Sequence, residues 1–272
     1  MINTIKSAMN ANMRGISVIS NNIANSNTTA FKKSNSNFSD VYSLSTSNSP
    51  QTFSGMGVVD NEPRKQMLQG PLKATGRALD LAISGLGLFT LQNTKNIEQS
   101  YFTRDGAFNL LKDGNVVNSE GLSLMGHKVL LDGTFNPNLL QKVVIPPTKL
   151  NADGKKVFLT NVNVSASGVL KAVYGLDIEE VISKIPLATF NDLTKLKTEG
   201  NNLYRGTPGS GLPIYGLAVD GKFGQIEAGF LENSNVKITD ELIKMIQFQQ
   251  AFTGNSRLLQ TEIEITDKLL NR

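Results

Sequence analysis

Apolar residues at the start of the chain, Ile2, Ile5, Met9, Ile16, Ile19 and Ile23, recur at steps of three and four once Asn12 is counted as a polar interruption of the seam. The spacing predicts an amphipathic helix of about 24 residues, roughly 36 Å long at 1.5 Å per residue. Its other faces carry Asn3, Thr4, Lys6, Asn10, Arg14, Ser17 and Asn21, leaving one narrow apolar edge. The far end repeats the device. Within VKITDELIKMIQFQQAFTGNSRLLQTEIEITDKLLNR, the residues Ile238, Leu242, Met245, Phe252, Leu259, Ile263 and Leu270 form one stripe at heptad spacing, widened by Ile246 and Phe248. Thr239 is positioned to supply a capping hydroxyl and Asp240 and Glu241 first-turn acids, with Lys268 and Arg272 at the other end, as the helix dipole prefers. Gly254 inside the stripe costs about 1 kcal/mol against Ala and points to a local bend or a close contact.

Between the two helical ends the pattern changes. Residues 65 to 230 hold most of the Gly and Pro, and short apolar runs such as DLAISGLGLFTL, KVVIPP and KIPLATF alternate with turn signals at Asp113-Gly114, Asp132-Gly133, Asp153-Gly154 and Asp220-Gly221. Many short strands at near-regular spacing predict an all-β middle. Residues 34 to 64 are rich in Ser, Asn and Thr but keep Phe38, Val41, Tyr42, Leu44 and Phe53, and read as an extended linker with apolar anchors. The chain then divides into a terminal helical region at 1–33 and 235–272, the linker at 34–64 and a β-rich domain at 65–234. Two polar-interrupted seams fit helices that pack against copies of themselves; pairing of the two end helices within one chain is the alternative.

Composition narrows the chemistry. With 272 residues and 39% hydrophobic content the chain can bury a sizeable core. The formal charge is +4, but Lys and Arg are scattered among the acids, so no strip resembles a nucleic-acid footprint. There is no Cys, and the single His, His127 within LMGHKVLL, leaves little material for acid–base catalysis. GLAVDGKF at 216–223 has Phe223 where a P-loop needs Ser or Thr and reads as a turn, and Gly85 and Gly87 read as a bulge or tight strand contact. Arg104 and Asp105 in FTRDGAF read as a turn fixture, and Glu179 with Glu180 has no catalytic partner at a readable spacing. No catalytic, metal or cofactor set is expected. No window reaches the roughly 18 apolar residues of a membrane span, and the first residues show no secretory-signal pattern, so a route out of the cytoplasm, if this chain takes one, would be one that cleaves no signal; composition alone does not decide whether it leaves.

One stretch is unusual. SNNIANSNTTAFKKS places four Asn and five Ser or Thr, all competitors for backbone hydrogen bonds, right after the first helical pattern. In its wider form, VISNNIANSNTTAFKKSNSNFSDVY, it resembles the signature of bacterial flagellar axial proteins, the rod and hook group, N-N-[IL]-A-N-x-x-T-x-[GA]-[FY]-K. Asn21, Asn22, Ile23, Ala24, Asn25, Thr28 or Thr29, Phe31 and Lys32 fill it, with Ala30 where the family usually has Gly. TGRALDLAISGLGLF, with Leu79 and Asp80, is similar to a second family segment, with Leu88 replacing the first Phe of its GFF. YFTRDGAFNLLKDGNVVNSEGLSLMG resembles its hairpins, and IPLATFNDLTKLKTEGNNLYRGTPGSG a later strand. GFLENSNV, with Gly229, Leu231, Glu232, Ser234, Asn235 and Val236, resembles the box before the family's C-terminal helix.

The resemblance implies an α+β fold in which N- and C-terminal helices form a coiled-coil-like inner layer of a helical tube and a central all-β domain decorates the outside. The Asn-rich run would end the first helix and turn the chain toward that domain. Assembly residues would be Ile5, Met9, Ile16, Ile19, Ile23, Ile238, Leu242, Met245, Phe252, Leu259 and Ile263. The function implied is a structural subunit of the hook that transmits motor torque to the filament. A distal or proximal rod subunit is the alternative, favoured by the chain length, and a non-flagellar surface-binding β protein lies further off. Partners implied are copies of the chain, neighbouring rod, hook, cap or junction proteins and the flagellar type III export apparatus. The location implied is the basal body or hook, in the periplasm or at the cell surface.

Overall fold

The computed structural model describes residues 2–42, 55–93, 99–129, 135–150, 155–175 and 178–271. The chain divides into a helical unit, residues 1–27, 32–66 and 236–272, and a β-rich unit, residues 28–31 and 67–235. This is the α+β class with a helix at each end and strands between.

In the helical unit, helix α1 spans Ile2–Ala24 and helix α2 spans Ile238–Leu270, and the two pack on each other within one chain. At α2 the N-cap is Lys237, without a side-chain cap, so the capping role expected of Thr239 fails. A Cβ at Gly254 would meet no atom within 4 Å, so no close contact requires glycine there. Asp240, Glu241 and Lys268 do sit in the first and last turns, while Arg272 lies outside the described residues. The stretch read as an extended linker contains a long antiparallel hairpin instead, strands β1 (Ser34–Tyr42) and β2 (Gly55–Lys65). Its register shifts between Asn35 and Asn37 and between Asp40 and Tyr42, which breaks the alternation that marks a strand in sequence. Leu44 and Phe53, read as anchors, lie outside the described residues.

The β-rich unit is built on one large antiparallel sheet. Its central path runs Thr148–Leu150, Lys156–Val164, Val169–Tyr174, Ile178–Lys184, Ser123–Val129, Phe89–Gln92, Ser100–Thr103, Leu203–Arg205 and Lys197–Gly200. Short pairs surround it: Pro186–Thr189 with Ile214–Leu217, Leu81–Ser84 with Gln225–Ala228, and Leu72–Ala74 with Phe230–Glu232. The main core gathers Leu81, Ile83, Phe89, Leu91, Phe108 and Leu124, and the Phe89 and Phe108 rings meet edge to face at 5.5 Å. A second cluster centres on Phe102 and Phe190, at 4.8 Å, with Leu88 and Tyr204.

The glycines and turns read from sequence have the expected roles here. Gly87 has φ +139°, and a Cβ there would stand 2.9 Å from Leu187 Cβ, so both conformation and strand approach require glycine. Asp220-Gly221 is a turn closed by Asp220 N–H to Leu217 O and Phe223 N–H to Asp220 O. His127 is a buried strand residue whose Nδ1 lies 3.3 Å from Leu139 O. Asp132-Gly133 and Asp153-Gly154 lie outside the described residues.

Among the described non-glycine residues with positive φ, one is β-branched. Val219, an exposed β-branched residue, has φ +68°, where its Cβ crowds the following carbonyl. Val219→Gly is expected to stabilise the β-rich unit by about 1 kcal/mol, the relief of left-handed strain less the backbone entropy of glycine. Thermal unfolding followed by near-ultraviolet circular dichroism checks this, and a lowered midpoint would contradict it.

Candidate assembly site

Packing in the helical unit is set by small residues. In α1 the buried positions are Ala11, Gly15, Ile19 and Asn22, a stripe at steps of four, four and three. Gly15 has no side chain because the Phe248 ring lies there: a Cβ would sit 2.6 Å from it. Phe248 also faces Phe38 of β1 at 6.2 Å between ring centroids. Hairpin contacts add to this, with Ser7 Oγ accepting from Val58 N–H at 3.3 Å and Arg14 pairing with Asp60 at 2.7 Å.

At the C-terminal end of α1 stands a three-way clamp. Asn22 Nδ2 donates to the Ser34 carbonyl at 2.8 Å and to Glu241 Oε2 at 2.9 Å, while Asn22 Oδ1 accepts the Ser34 N–H at 2.9 Å. Asn22 and Glu241 are both buried, and Lys244 Nζ reaches Glu241 Oε1 at 3.0 Å. One amide thereby joins the end of α1, the start of β1 and the first turn of α2. The Asn22–Glu241 and Gly15–Phe248 contacts fix one antiparallel register, which sets Ile2 opposite Thr261. Beyond that point α2 continues to Leu270.

The predicted seam residues fall into two groups. Ile19 is buried, and Ile5, Met9, Ile16, Ile23, Met245, Phe252 and Leu259 are half-buried. Ile238, Leu242 and Ile263 are instead 44%, 44% and 47% exposed, and Ile246, Ile265 and Leu269 are exposed with them. So α2 lays one face against α1 and shows a second apolar face to solvent.

The family-motif residues do different work. Asn21 is exposed, and its carbonyl accepts the N–H of Asn25 at 3.1 Å and Nδ2 of Asn25 at 2.9 Å, closing the helix; Ala24 is exposed and Asn25 half-buried. Ala30 has φ +56°, the left-handed conformation that a Gly at this position adopts without strain. In the β-rich unit, Ala30 N–H donates to Glu232 O at 2.7 Å, Asn202 Nδ2 to Thr29 O at 2.7 Å, and Asn235 N–H to Phe31 O at 3.3 Å. Asn235 Nδ2 donates to Leu68 O at 3.0 Å; Phe31 and Ser234 are buried, and Val236 half-buried. Leu79 packs on the main core, and the buried Asp80 accepts the Gly229 N–H at its carbonyl, with Arg77 at 3.9 Å from its carboxylate.

Glu232 belongs to a buried ion pair. Arg104 Nη1 lies 3.4 Å from Glu232 Oε2 and 3.2 Å from Ile83 O, Arg104 Nη2 donates to Gly85 O at 2.6 Å, and Gly70 N–H donates to Glu232 Oε1 at 2.8 Å. Arg104 is thus more than the turn fixture its sequence context suggested: it ties the end of strand Ser100–Thr103 to two strand pairs, Leu81–Ser84 with Gln225–Ala228 and Leu72–Ala74 with Phe230–Glu232. Burial pulls its pKa below the usual value, with Glu232 opposing. Burial also pushes the Tyr204 phenol far above its usual range, with Glu232 adding to this and Arg104 opposing. Asp105 is the turn fixture, accepting the Ala107 N–H at 3.2 Å. Nothing in the order of residues marks Glu241 as a clamp residue, since a first-turn acid is ordinary; its pairing with Asn22 is visible only in three dimensions. Among the described residues no group of three or more His, Asp or Glu could hold a metal ion, and no helix is long and apolar enough to cross a membrane.

Residues 2–32 match the flagella basal body rod protein family, residues 82–172 the flagellar hook protein FlgE/F/G D1 domain, and residues 227–272 the flagellar basal body rod FlgEFG protein C-terminal region. The chain is 32% identical to the flagellar basal-body rod protein FlgG of Bacillus subtilis strain 168, over 94% of its own length and 92% of that protein. The chain belongs to the flagellar rod and hook protein family. Further relatives in this family are the rod protein FlgG of Agrobacterium fabrum, 29% identical over 94% of this chain and 93% of that protein, and the hook protein FlgE of Rhizobium meliloti. The latter is 24% identical across an alignment of 398 positions that covers 97% of each protein. As a member of this family the chain is a structural subunit of the flagellar rod or hook, not an enzyme, and assembles with other axial proteins.

Two outcomes follow from this geometry. Asn22→Ala leaves the buried Glu241 and the Ser34 backbone short of partners and should cost the helical unit about 2–3 kcal/mol, whereas Asn21→Ala, at an exposed side chain, should cost under about 0.5 kcal/mol. Hydrogen exchange of the α1 and α2 amides measures both, and equal effects would refute the clamp. For Asp105, burial raises the carboxyl pKa, Ala107 N–H lowers it and Asp80 raises it. A raised acid binds protons more tightly when folded, so it contributes nothing below its unfolded pKa and weakens the fold as pH rises through the folded one. Asp105→Asn should therefore melt close to the wild type at low pH and above it at neutral pH; a gap that closes as pH rises would contradict this.

Proposed function

We propose that this chain is a rod-type subunit that polymerises through the outer apolar face of α2, laid against copies of itself and against neighbouring axial proteins. The observation that carries this reading is the second face: Ile238, Leu242 and Ile246 stand one helical turn apart in solvent, although α2 already has a partner in α1. A contact between unlike surfaces that does not close on itself extends without limit, which is the geometry a tube requires. The inner-layer role of the helices, the coiled-coil-like packing between subunits and delivery through the flagellar type III export apparatus to neighbouring rod, hook, cap or junction proteins are parts of the same proposal. Its position in the tube, outside the cytoplasm, goes with them.

The rod reading is preferred over the hook reading on length. The FlgG relatives align nearly end to end with a chain of this size, while the FlgE alignment extends to 398 positions against 272 residues here. The hook protein therefore carries segments with no counterpart in this chain.

Leu242→Asp puts a charge into the proposed contact but stays in water in the free subunit. It should abolish sedimenting polymer and swimming while shifting the free subunit's stability by less than about 0.5 kcal/mol, since burying an unpaired charge costs several kcal/mol and exposing one costs little. Polymers of normal length from this variant would overturn the interface. Basal bodies from a deletion strain separate the two readings: a truncated rod is expected, and a complete rod lacking only the hook would assign the chain to the hook.

A further inference from the structure

The chain passes between the helical unit and the β-rich unit at four places, 27/28, 31/32, 66/67 and 235/236. A pull that travels along the backbone of this structural subunit enters the β-rich unit at these connections. They end in three short segments of that unit, Thr28–Phe31 and residues 67–74 and 230–235. Residues 230–235 bond to both of the others. Phe230, Leu231 and Glu232 pair with Ala74, Lys73 and Leu72, Asn233 N–H donates to Pro71 O at 2.9 Å, and Asn235 Nδ2 donates to Leu68 O. Toward Thr28–Phe31, Glu232 O accepts the Ala30 N–H and Asn235 N–H donates to Phe31 O. Gly70 passes so close to the Asn233 carbonyl that no side chain would fit there.

The Glu232 side chain leads from these segments into the large sheet. Its carboxylate accepts the Gly70 N–H and meets Arg104, which follows strand Ser100–Thr103 of that sheet and also holds the carbonyls of Ile83 and Gly85. Both members of the pair are buried. Hydrogen bonds between antiparallel strands lie across the strand direction, so a pull through Val236 along 230–235 strains several of them together. Shifting Glu232 would in addition leave the Arg104 guanidinium buried without its counter-charge, which costs far more than stretching neutral bonds. We infer that Glu232 is the residue through which a pull on α2 passes into the large sheet, with Arg104 as its anchor. Its carbonyl and carboxylate also hold Ala30 and Gly70, so the other connections meet the same anchor. This role rests on the chain being a structural subunit and makes no use of the outer face of α2.

The test is single-molecule pulling of the full chain through paired cysteines, since the sequence has no Cys to compete as a handle. One pair, Lys112→Cys with Lys237→Cys, loads residues 230–235 from the α2 side. The control pair, Lys112→Cys with Lys222→Cys, pulls on the β-rich unit ahead of them, and all three lysines are exposed. At a fixed force, Glu232→Gln should unfold about a hundredfold faster than the wild type through the first pair and less than about threefold faster through the control. Removing a bond speeds unfolding only where the transition state has already broken it. A Glu232 that only stabilised the fold would therefore raise both rates together. If Glu232→Gln does not fold, Asn235→Ala keeps the ion pair and removes the side-chain bond to Leu68 O. It should unfold about fivefold faster through the first pair and unchanged through the control. Equal acceleration along both pulls, or none through Lys237, would overturn the assignment.

Discussion

The helical unit depends on one side chain, the Asn22 amide. Helix ends leave backbone groups unpaired, and this end must also release the chain into a hairpin and receive a second helix from the far terminus. Asn22 meets all three demands because an amide both donates and accepts: it holds the N–H and carbonyl of Ser34 and the carboxylate of Glu241. With both ends of the bond buried, each group is costly to separate, so the amide sets the register that brings Gly15 against Phe248. The close approach of the helices then follows from the missing side chain at Gly15.

A similar device works in the β-rich unit with full charges. Glu232 and Arg104 are both buried, and the guanidinium spends its remaining donors on the carbonyls of Ile83 and Gly85 while Gly70 N–H satisfies the carboxylate. A buried pair of this kind contributes little net stability compared with an apolar alternative, but it tolerates few other arrangements, because a misplaced strand would strand a charge. That is a reason for a protein built of short strand pairs to use one. Turns such as Asp220-Gly221 set local hairpins; the ion pair connects segments far apart in the chain.

The division of apolar surface on α2 links these structures to function. Residues from Met245 to Leu259 on one face are covered by the chain itself, while Ile238, Leu242 and Ile246 are not. A helix with a covered and an uncovered apolar face is stable as a subunit and still has hydrophobic area to bury on assembly. Membership of the rod and hook family gives that surface its context.

Much of this was legible in the sequence. Periodicity located both helices, with α1 at Ile2–Ala24 and α2 at Ile238–Leu270, because an amphipathic helix writes its period into the order of residues. Turn chemistry located the β middle, and the linked motifs led to the family. Other features were not legible. The hairpin Ser34–Lys65 reads as a linker because its polar composition and bulges hide the two-residue period. The α1 stripe was read from its Ile residues, whereas Ala11 and Gly15 form its centre, since closeness of approach depends on small size as much as on apolar character. The roles of Glu241 and Arg104 were invisible for one reason: each is defined by what lies across from it. The order of residues determines period, turn and composition, which act over a few neighbours; the pairing of Asn22 with Glu241, 219 positions apart, exists only once the chain has closed on itself.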